Sequence, residues 1–162
     1  MEDLSDTMNE WATHQTPLIC AVMNTTGPVL EMGSGHYSTP ILHEVCKAQN
    51  RHLTTVDNNK EWIDQFSDLS SANHRILYTE DWDAVEGEYD VIFIDHAPEE
   101  RRKVDIEKFK SKCKIMVVHD YLQDNVYKHH AIMDTFKYKS VYTRYKRHTV
   151  LLSDTVDVSK II

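Results

Sequence analysis

The chain has 162 residues, 41% hydrophobic and 27% charged, with a formal net charge of −8 at pH 7. That length and composition fit one domain with a core of its own, and the acidic balance argues against general nucleic-acid binding, which needs a basic surface to displace counterions. No apolar run approaches the ~20 residues that span a bilayer, and three widely spaced cysteines (Cys20, Cys46, Cys113) read as reduced thiols, so a cytoplasmic protein is expected.

In chain order, the polar start Met1-Glu-Asp-Leu-Ser-Asp lacks the apolar core of a signal peptide. Residues 1–27 form a helical lead-in, in which Thr16-Pro17 opens a short helix to about Met23. The strand Val29–Met32 begins a core spanning 28–153. It carries Glu31 and runs into Gly33-Ser-Gly35, after which Ser38 or Thr39 caps a helix to about Gln49, with Ile41, Leu42, Val45 and Cys46 on its buried side. A second strand, Leu53–Val56, ends at Asp57. Asn58 or Asn59 caps the next helix, where Trp62, Ile63, Phe66 and Leu69 recur at helical spacing. Arg75–Tyr78 is a short third strand, followed by Asp81-Trp82.

Tyr89–Ile94 is nearly all apolar, as expected of a central parallel strand covered on both faces, and it ends at Asp95-His96. A helix is expected over Glu99–Phe109, a fifth strand over Lys114–Val118 ending at His119-Asp120, and a helix from about Leu122 to Phe136. Residues 139–145 and 147–152 alternate and pair as an antiparallel hairpin, leaving 154–162 as a tail. The predicted fold is a single α/β domain, Rossmann-like, with a mostly parallel seven-stranded sheet, a C-terminal antiparallel hairpin and helices on both faces.

Strand, glycine turn, helix, strand and acid is how a Rossmann-type unit holds a nucleotide. Gly33 and Gly35 let the backbone come close to a ligand, and Asp57, 24 residues after the first glycine, can accept hydrogen bonds from ribose hydroxyls. An adenosine cofactor is expected. A dehydrogenase would need a second domain for its substrate, and none fits here.

On Glu31, Gly33 and Gly35 the chain resembles the class I S-adenosylmethionine-dependent methyltransferases, over roughly residues 17 to 153. Tyr37 departs from their third glycine, while Gly33-Ser-Gly-His-Tyr-Ser-Thr-Pro40 looks like the variant in small methyltransferases whose helix begins Ser-Thr. The resemblance implies S-adenosylmethionine as cofactor, with Gly33, Gly35 and Ser38 at its methionine end, Glu31 facing the ammonium group and Asp57 the ribose. It places Asp81 and Trp82 beside the adenine, a position at which Trp82 serves equally well as core packing. Asp95-His-Ala-Pro with Arg101-Arg102, followed by His119-Asp120, looks like relatives of the macrolide-sugar O-methyltransferases. In that group acids at these two strand ends hold magnesium beside a sugar hydroxyl. Asp95 and Asp120 match; His119 replaces an acid and is a poor magnesium ligand.

The implied reaction is in-line displacement at a sulfonium methyl by a hydroxyl of a sugar, glycan or other small metabolite. Asp95, His96, His119 and Asp120 are the catalytic candidates: either histidine can serve as general base, or Mg2+ can acidify the hydroxyl. Arg101 and Arg102 either cap the helix or contact an anionic acceptor group. His43-x-x-Cys46 has zinc-like spacing without a second pair and is read as helix packing. His129-His130 is read as a solvated surface pair. Lys137, Lys139, Arg144, Lys146 and Arg147 make a basic stretch, read as a solvated face or as a docking patch for RNA. Two further readings are an RNA (cap or ribose) methyltransferase and a non-catalytic module of the same fold. With little chain left for a lid, the acceptor binds in an open cleft or in a pocket completed by a second subunit of a homo-oligomer.

Overall fold

Seven strands form one sheet: β1 (Val29–Met32), β2 (Leu53–Asp57), β3 (His74–Tyr78), β4 (Tyr89–Ile94), β5 (Cys113–Val118), β6 (Tyr138–Tyr142) and β7 (Thr149–Ser153). Their spatial order is β3-β2-β1-β4-β5-β7-β6. Pairing is parallel from β3 across to β5, and β7 runs antiparallel to both of its neighbours. The computed structural model describes residues 9–162, so the polar start Met1–Asp6 lies outside the described residues. Among the described residues no helix is long and apolar enough to cross a membrane.

The near-continuous apolar run of β4 is explained by its central position. Val91 and Phe93 turn to one face, where Leu18 and Val22 of α1 (Gln15–Met23) and Leu42 and Cys46 of α2 (Thr39–Ala48) cover them. Ile92 and Ile94 turn to the other, against Ile106 and Phe109 of α4 (Arg102–Phe109) together with Met133 and Phe136. Alternation at period two thus feeds two separate cores, one on each side of the sheet. Fully burying each such side chain stabilises the fold by roughly 1.5–3 kcal/mol. The strand order reverses between β1 and β4, and that switch point is where open α/β sheets carry their ligands.

Local differences from the sequence reading have physical causes. The helix after β2 is one α turn, α3 (Lys60–Ile63), capped by the Asn59 side chain and continued as a 3-10 turn over Asp64–Leu69. The segment expected as one helix from 122 to 136 is two single turns, α5 (Asp124–Tyr127) and α6 (His130–Met133). Lys128 between them has φ of 51°, a left-handed conformation that ends the first turn, and the Asp124 carboxylate accepts from the His130 N–H to start the second. The break folds His129 inward. It is fully buried, with Nε2 beside the Tyr121 carbonyl, which corrects the expectation of a solvated pair; His130 is half-buried.

Candidate active site

Glycine is required at position 33 by the turn it makes. Gly33 has φ of 93°, and a Cβ there would lie 2.7 Å from the Asp95 backbone. Its N–H donates to the Val56 carbonyl at 2.9 Å, while the Asp95 N–H donates to Met32 at 2.9 Å, so the turn is clamped over the ends of β2 and β4. Asp57 holds the next residue: one oxygen accepts from the Ser34 N–H (2.8 Å) and hydroxyl (2.9 Å), the other from the Asn59 N–H (2.8 Å). A carboxylate offers about four acceptor positions, so one remains on Asp57.

Beside this turn lies an open cleft of about 400 Å3 lined by Trp11, His14, Ser34 to Ser38, Trp62 and Asp95. The Trp62 indole N–H donates to the Ser34 carbonyl at 2.8 Å, fixing the ring as a wall. Glu31 lies beneath the floor and is fully buried. Thr55 donates to its Oε2 at 2.7 Å, and Oε1 has no partner of normal hydrogen-bond geometry, although the Ser38 and Thr39 hydroxyls face it. Burial pushes the Glu31 carboxyl up to about 7, against the pull of Ser38, Thr55 and Thr39.

At the far end the termini of β4 and β5 and the N-terminal segment converge. His119 Nδ1 is 3.3 Å from Asp95, and its Nε2 is 3.1 Å from the Thr13 hydroxyl. The His14 ring packs on Phe93 and edge-on to His119, with centroids 4.8 Å away in each case. His14 is buried, and neither ring nitrogen makes a hydrogen bond of normal geometry, although a nearby Tyr37 backbone group slightly favours its charged form. Burial holds the His14 imidazole down at about 4, partly offset by Asp95, so it is neutral near pH 7. Burial pushes the Asp95 carboxyl up, but His119, Arg102 and His14 together outweigh it and hold it at about 2. Asp95 is therefore an anion, with its side chain about a quarter exposed (26%) at the cleft.

The sequence-derived candidates divide accordingly. Gly33, Gly35, Ser38, Asp57, Asp95 and His119 come together around the cleft, with Glu31 under it. His96 points away: it is buried, its Nε2 is 2.9 Å from Asp105, and Arg101 also bonds Asp105. A substrate cannot reach it. Trp82 belongs to the core, its ring tilted against His96 with centroids 4.3 Å apart and its indole N–H on the Ala97 carbonyl, so core packing is its role. Asp81 is exposed and accepts from the Asp83 N–H, capping the turn over Trp82–Ala84. Arg101 and Arg102 are taken up inside the chain, by Asp83 and Asp105 and by Asp95 and Asp120 respectively, and neither presents a free guanidinium to an acceptor. Within the basic stretch, Lys139 pairs with Asp134, and Arg147 with Asp120 and Glu10.

The sequence reading missed His14, Thr13 and Trp11, and it gave Trp62 only as part of a helical pattern and Arg147 only as part of the basic stretch. His14 carried only one signal, a histidine just ahead of the Thr16-Pro17 helix start. Arg147 reaches from the hairpin to Asp120 at 2.9 Å and stacks over Trp11 at 4.3 Å, tying the N-terminal segment to the cleft.

The residues do not fit a magnesium ion at Asp95 and Asp120. Two carboxylates are already balanced by two guanidiniums, Arg102 at 3.0 Å from Asp95 and Arg147 at 2.9 Å from Asp120. A hard dication prefers an all-oxygen set, whereas the grouping that converges on Asp95 brings two imidazoles, His14 and His119, within 4.8 Å.

No protein-family model and no curated protein matches this sequence. Solved structures do match its fold. The chain is similar to an SAH-bound methyltransferase from Podospora anserina (14% identity, 91% of this chain and 80% of that one, TM-score 0.66). It is similar to a putative O-methyltransferase from Klebsiella pneumoniae (13% identity, 91% and 82%, TM-score 0.66). It is also similar to spermidine synthase from Thermotoga maritima (16% identity, 94% and 62%, TM-score 0.64). The chain therefore has the fold of the class I S-adenosylmethionine-dependent methyltransferases. At such identities the likeness carries the architecture alone, and what the domain does has to be argued from its own cleft.

Proposed function

We propose that the chain is an S-adenosylmethionine-dependent O-methyltransferase acting on a hydroxyl of a sugar, glycan or other small metabolite. The observation that carries this reading is His14: a buried, neutral imidazole with neither nitrogen in a hydrogen bond of normal geometry, beside an anionic Asp95, in a cleft that also holds the Gly35 turn. An orphaned buried polar group has a partner still to come.

The residues present fit the cofactor. Asp57 keeps one acceptor position for a ribose hydroxyl, Trp62 offers an aromatic wall, and Glu31 can answer an ammonium group across Ser38. S-adenosylmethionine, when bound, supplies an electrophilic methyl group. His14 accepts a hydrogen bond from the acceptor hydroxyl at Nδ1 or Nε2 and aims its lone pair. An alcohol oxygen that gains a carbon becomes strongly acidic, so even a base held near 4 takes its proton as the bond forms. Asp95 and Asp120 stabilise the resulting imidazolium, against the opposing pull of His119. No magnesium step is invoked, because the arginines already balance the acids. In the basic stretch Lys139 and Arg147 are engaged within the chain, which favours a small acceptor over RNA.

Calorimetric titration with S-adenosylmethionine tests the cofactor, with Asp57→Ala as the control, and release of S-adenosylhomocysteine across a panel of sugars and nucleotide sugars tests the acceptor. Micromolar binding weakened by the substitution, with turnover on one hydroxyl acceptor, is expected. Folded wild-type protein that does not bind the cofactor would overturn the reading in favour of a non-catalytic module. Turnover on RNA alone would overturn the acceptor class.

A further inference from the structure

Glu31 has no exposed surface, yet a continuous chain of polar side chains leads from it to the outside of the protein. Glu31 on β1 is paired in register with Thr55 on β2, which puts both side chains on one face of the sheet. The neighbouring positions on that face, Val29, Leu53 and Phe93, are buried and apolar. Thr55 Oγ1 is 2.7 Å from Glu31 Oε2 and 2.9 Å from His74 Nε2. His74 Nδ1 is 3.0 Å from His43 Nδ1 on α2. His43 Nε2 lies 3.8 Å from Glu44 Oε1, whose side chain is 70% exposed. Buried polar side chains strung through an apolar layer are costly unless each is satisfied. Here Thr55 and His74 each bond both of their neighbours in the chain, and His43 bonds His74 through one ring nitrogen and turns the other toward Glu44.

We infer that Thr55, His74 and His43 form a proton path joining buried Glu31 to solvent, through which the acid gives up its proton when a ligand's ammonium group enters the cleft. The inference rests on the cofactor reading for the identity of that ligand, but the path itself does not.

The proton count permits two polarities. With Glu31 protonated, its O–H donates to Thr55, Thr55 donates to His74 Nε2, and His74 Nδ1–H donates to His43 Nδ1, leaving His43 with Nε2–H toward Glu44. With Glu31 ionised every bond reverses: Thr55 donates to Glu31, His74 Nε2–H donates to Thr55, and His43 Nδ1–H donates to His74 Nδ1. Passing between them breaks the Glu31 O–H bond, shifts one proton along each link and releases one proton from His43 Nε2 to solvent or Glu44. Neither histidine has to become an imidazolium in either end state.

Other groups face this chain. Around Glu31 they are Ser38 just before α2, Thr39 and Cys46 on α2, and Asp95 after β4; Asp95 opposes ionisation, whereas the hydroxyls favour it. Beside His74 a backbone group of Leu69 favours the charged ring, while burial and His43 oppose it, holding His74 at about 4 and so neutral. Burial sets Glu31 at about 7, so the proton exchanges near neutral pH.

The test is the tautomer of His43 and His74, read from side-chain 15N shifts of the full chain between pH 6 and 8.5. Both rings are expected to switch tautomer together, with one midpoint. Adding S-adenosylhomocysteine at pH 6 should produce the same switch without a pH change and release most of one proton per ligand, counted by calorimetry in two buffers. Thr55→Val should abolish the joint switch and Thr55→Ser restore it. Rings that hold fixed tautomers, switch separately or turn into imidazolium overturn the path. If S-adenosylhomocysteine does not bind, the cofactor reading fails, while the pH-driven switch still decides the path.

Discussion

Arg102 bridges Asp95 and Asp120: its guanidinium is 3.0 Å from one carboxylate and 3.9 Å from the other, and its Nε donates to the His96 carbonyl at 2.8 Å. Acids that end two adjacent strands thus share an internal cation. The consequence is measurable in two ways. Arg102→Met takes the guanidinium from Asp95, while Asp120 keeps Arg147, and should cost about 3 kcal/mol in denaturant unfolding, the low end for a broken buried pair because His119 stays beside Asp95. Conversely, a chelator should leave methyl transfer by wild type unchanged within a factor of about two, since the charge is already balanced; loss of turnover restored by magnesium would contradict the pairing.

His14→Ala should lower methyl transfer by roughly 10²–10³-fold, the range of a general base and its aligning hydrogen bond. Calorimetry should show cofactor affinity within about threefold of wild type, because His14 sits at the acceptor end of the cleft. A variant with normal turnover would remove His14 from the mechanism.

His96→Ala separates stability from chemistry. It uncovers Asp105, whose carboxyl burial would push up but which His96 and Arg101 hold below the usual range. Thermal unfolding should shift down by several degrees, consistent with about 1–3 kcal/mol for a buried polar partner. Turnover per folded molecule should not change.

The pH dependence of stability should carry the mark of Glu31. Its carboxyl is raised from an ordinary 4.5 to about 7, so between those values the folded chain keeps a proton that the unfolded chain has lost. This contribution is fully present below pH 4.5, declines as pH rises and is gone above about 7. Glu31→Gln should flatten that decline, gaining on the order of 2 kcal/mol at pH 8 relative to wild type. His14 acts oppositely: held at about 4 against 6.5, it costs stability as pH falls from 6.5 to 4, and His14→Gln should relieve that loss.

Gly33→Ala and Gly35→Ala should behave differently. The first forces a side chain at φ of 93° to within 2.7 Å of the Asp95 backbone and should prevent folding or lower its midpoint sharply. The second meets only the Ser38 hydroxyl, at 3.3 Å, and should fold with a near-normal melting temperature. S-adenosylhomocysteine binding to it should weaken at least about tenfold, because the added methyl takes space against a ligand that packs on this backbone.

Much of the fold was legible because its signals are local. The apolar run of β4 and the acid-glycine turn after β1 each follow from period and turn chemistry within a few residues, whereas β7, read as an alternating strand, is buried at every position because β5 and β6 flank it. The helix expected from 122 to 136 was not legible, since the left-handed Lys128 carries no glycine to announce it. Trp82 could be read as adenine wall or core from its type alone, and its burial against His96 decided for the core.

Sequence alone determined the order of strands and turns, and with it the end of the sheet at which Gly33, Asp57, Asp95 and His119 gather, because a parallel sheet brings its strand ends to one edge. Tertiary structure decided which of those side chains face the cleft. Asp95 and His96 are adjacent in sequence yet part company, one toward His119 and the other toward Asp105, because successive residues leave a strand end in opposite directions. It also brought in His14 and Arg147, 133 positions apart, whose place depends on how the N-terminal helix and the hairpin pack onto β4 and β5. Packing at that distance leaves no spacing for a sequence to display.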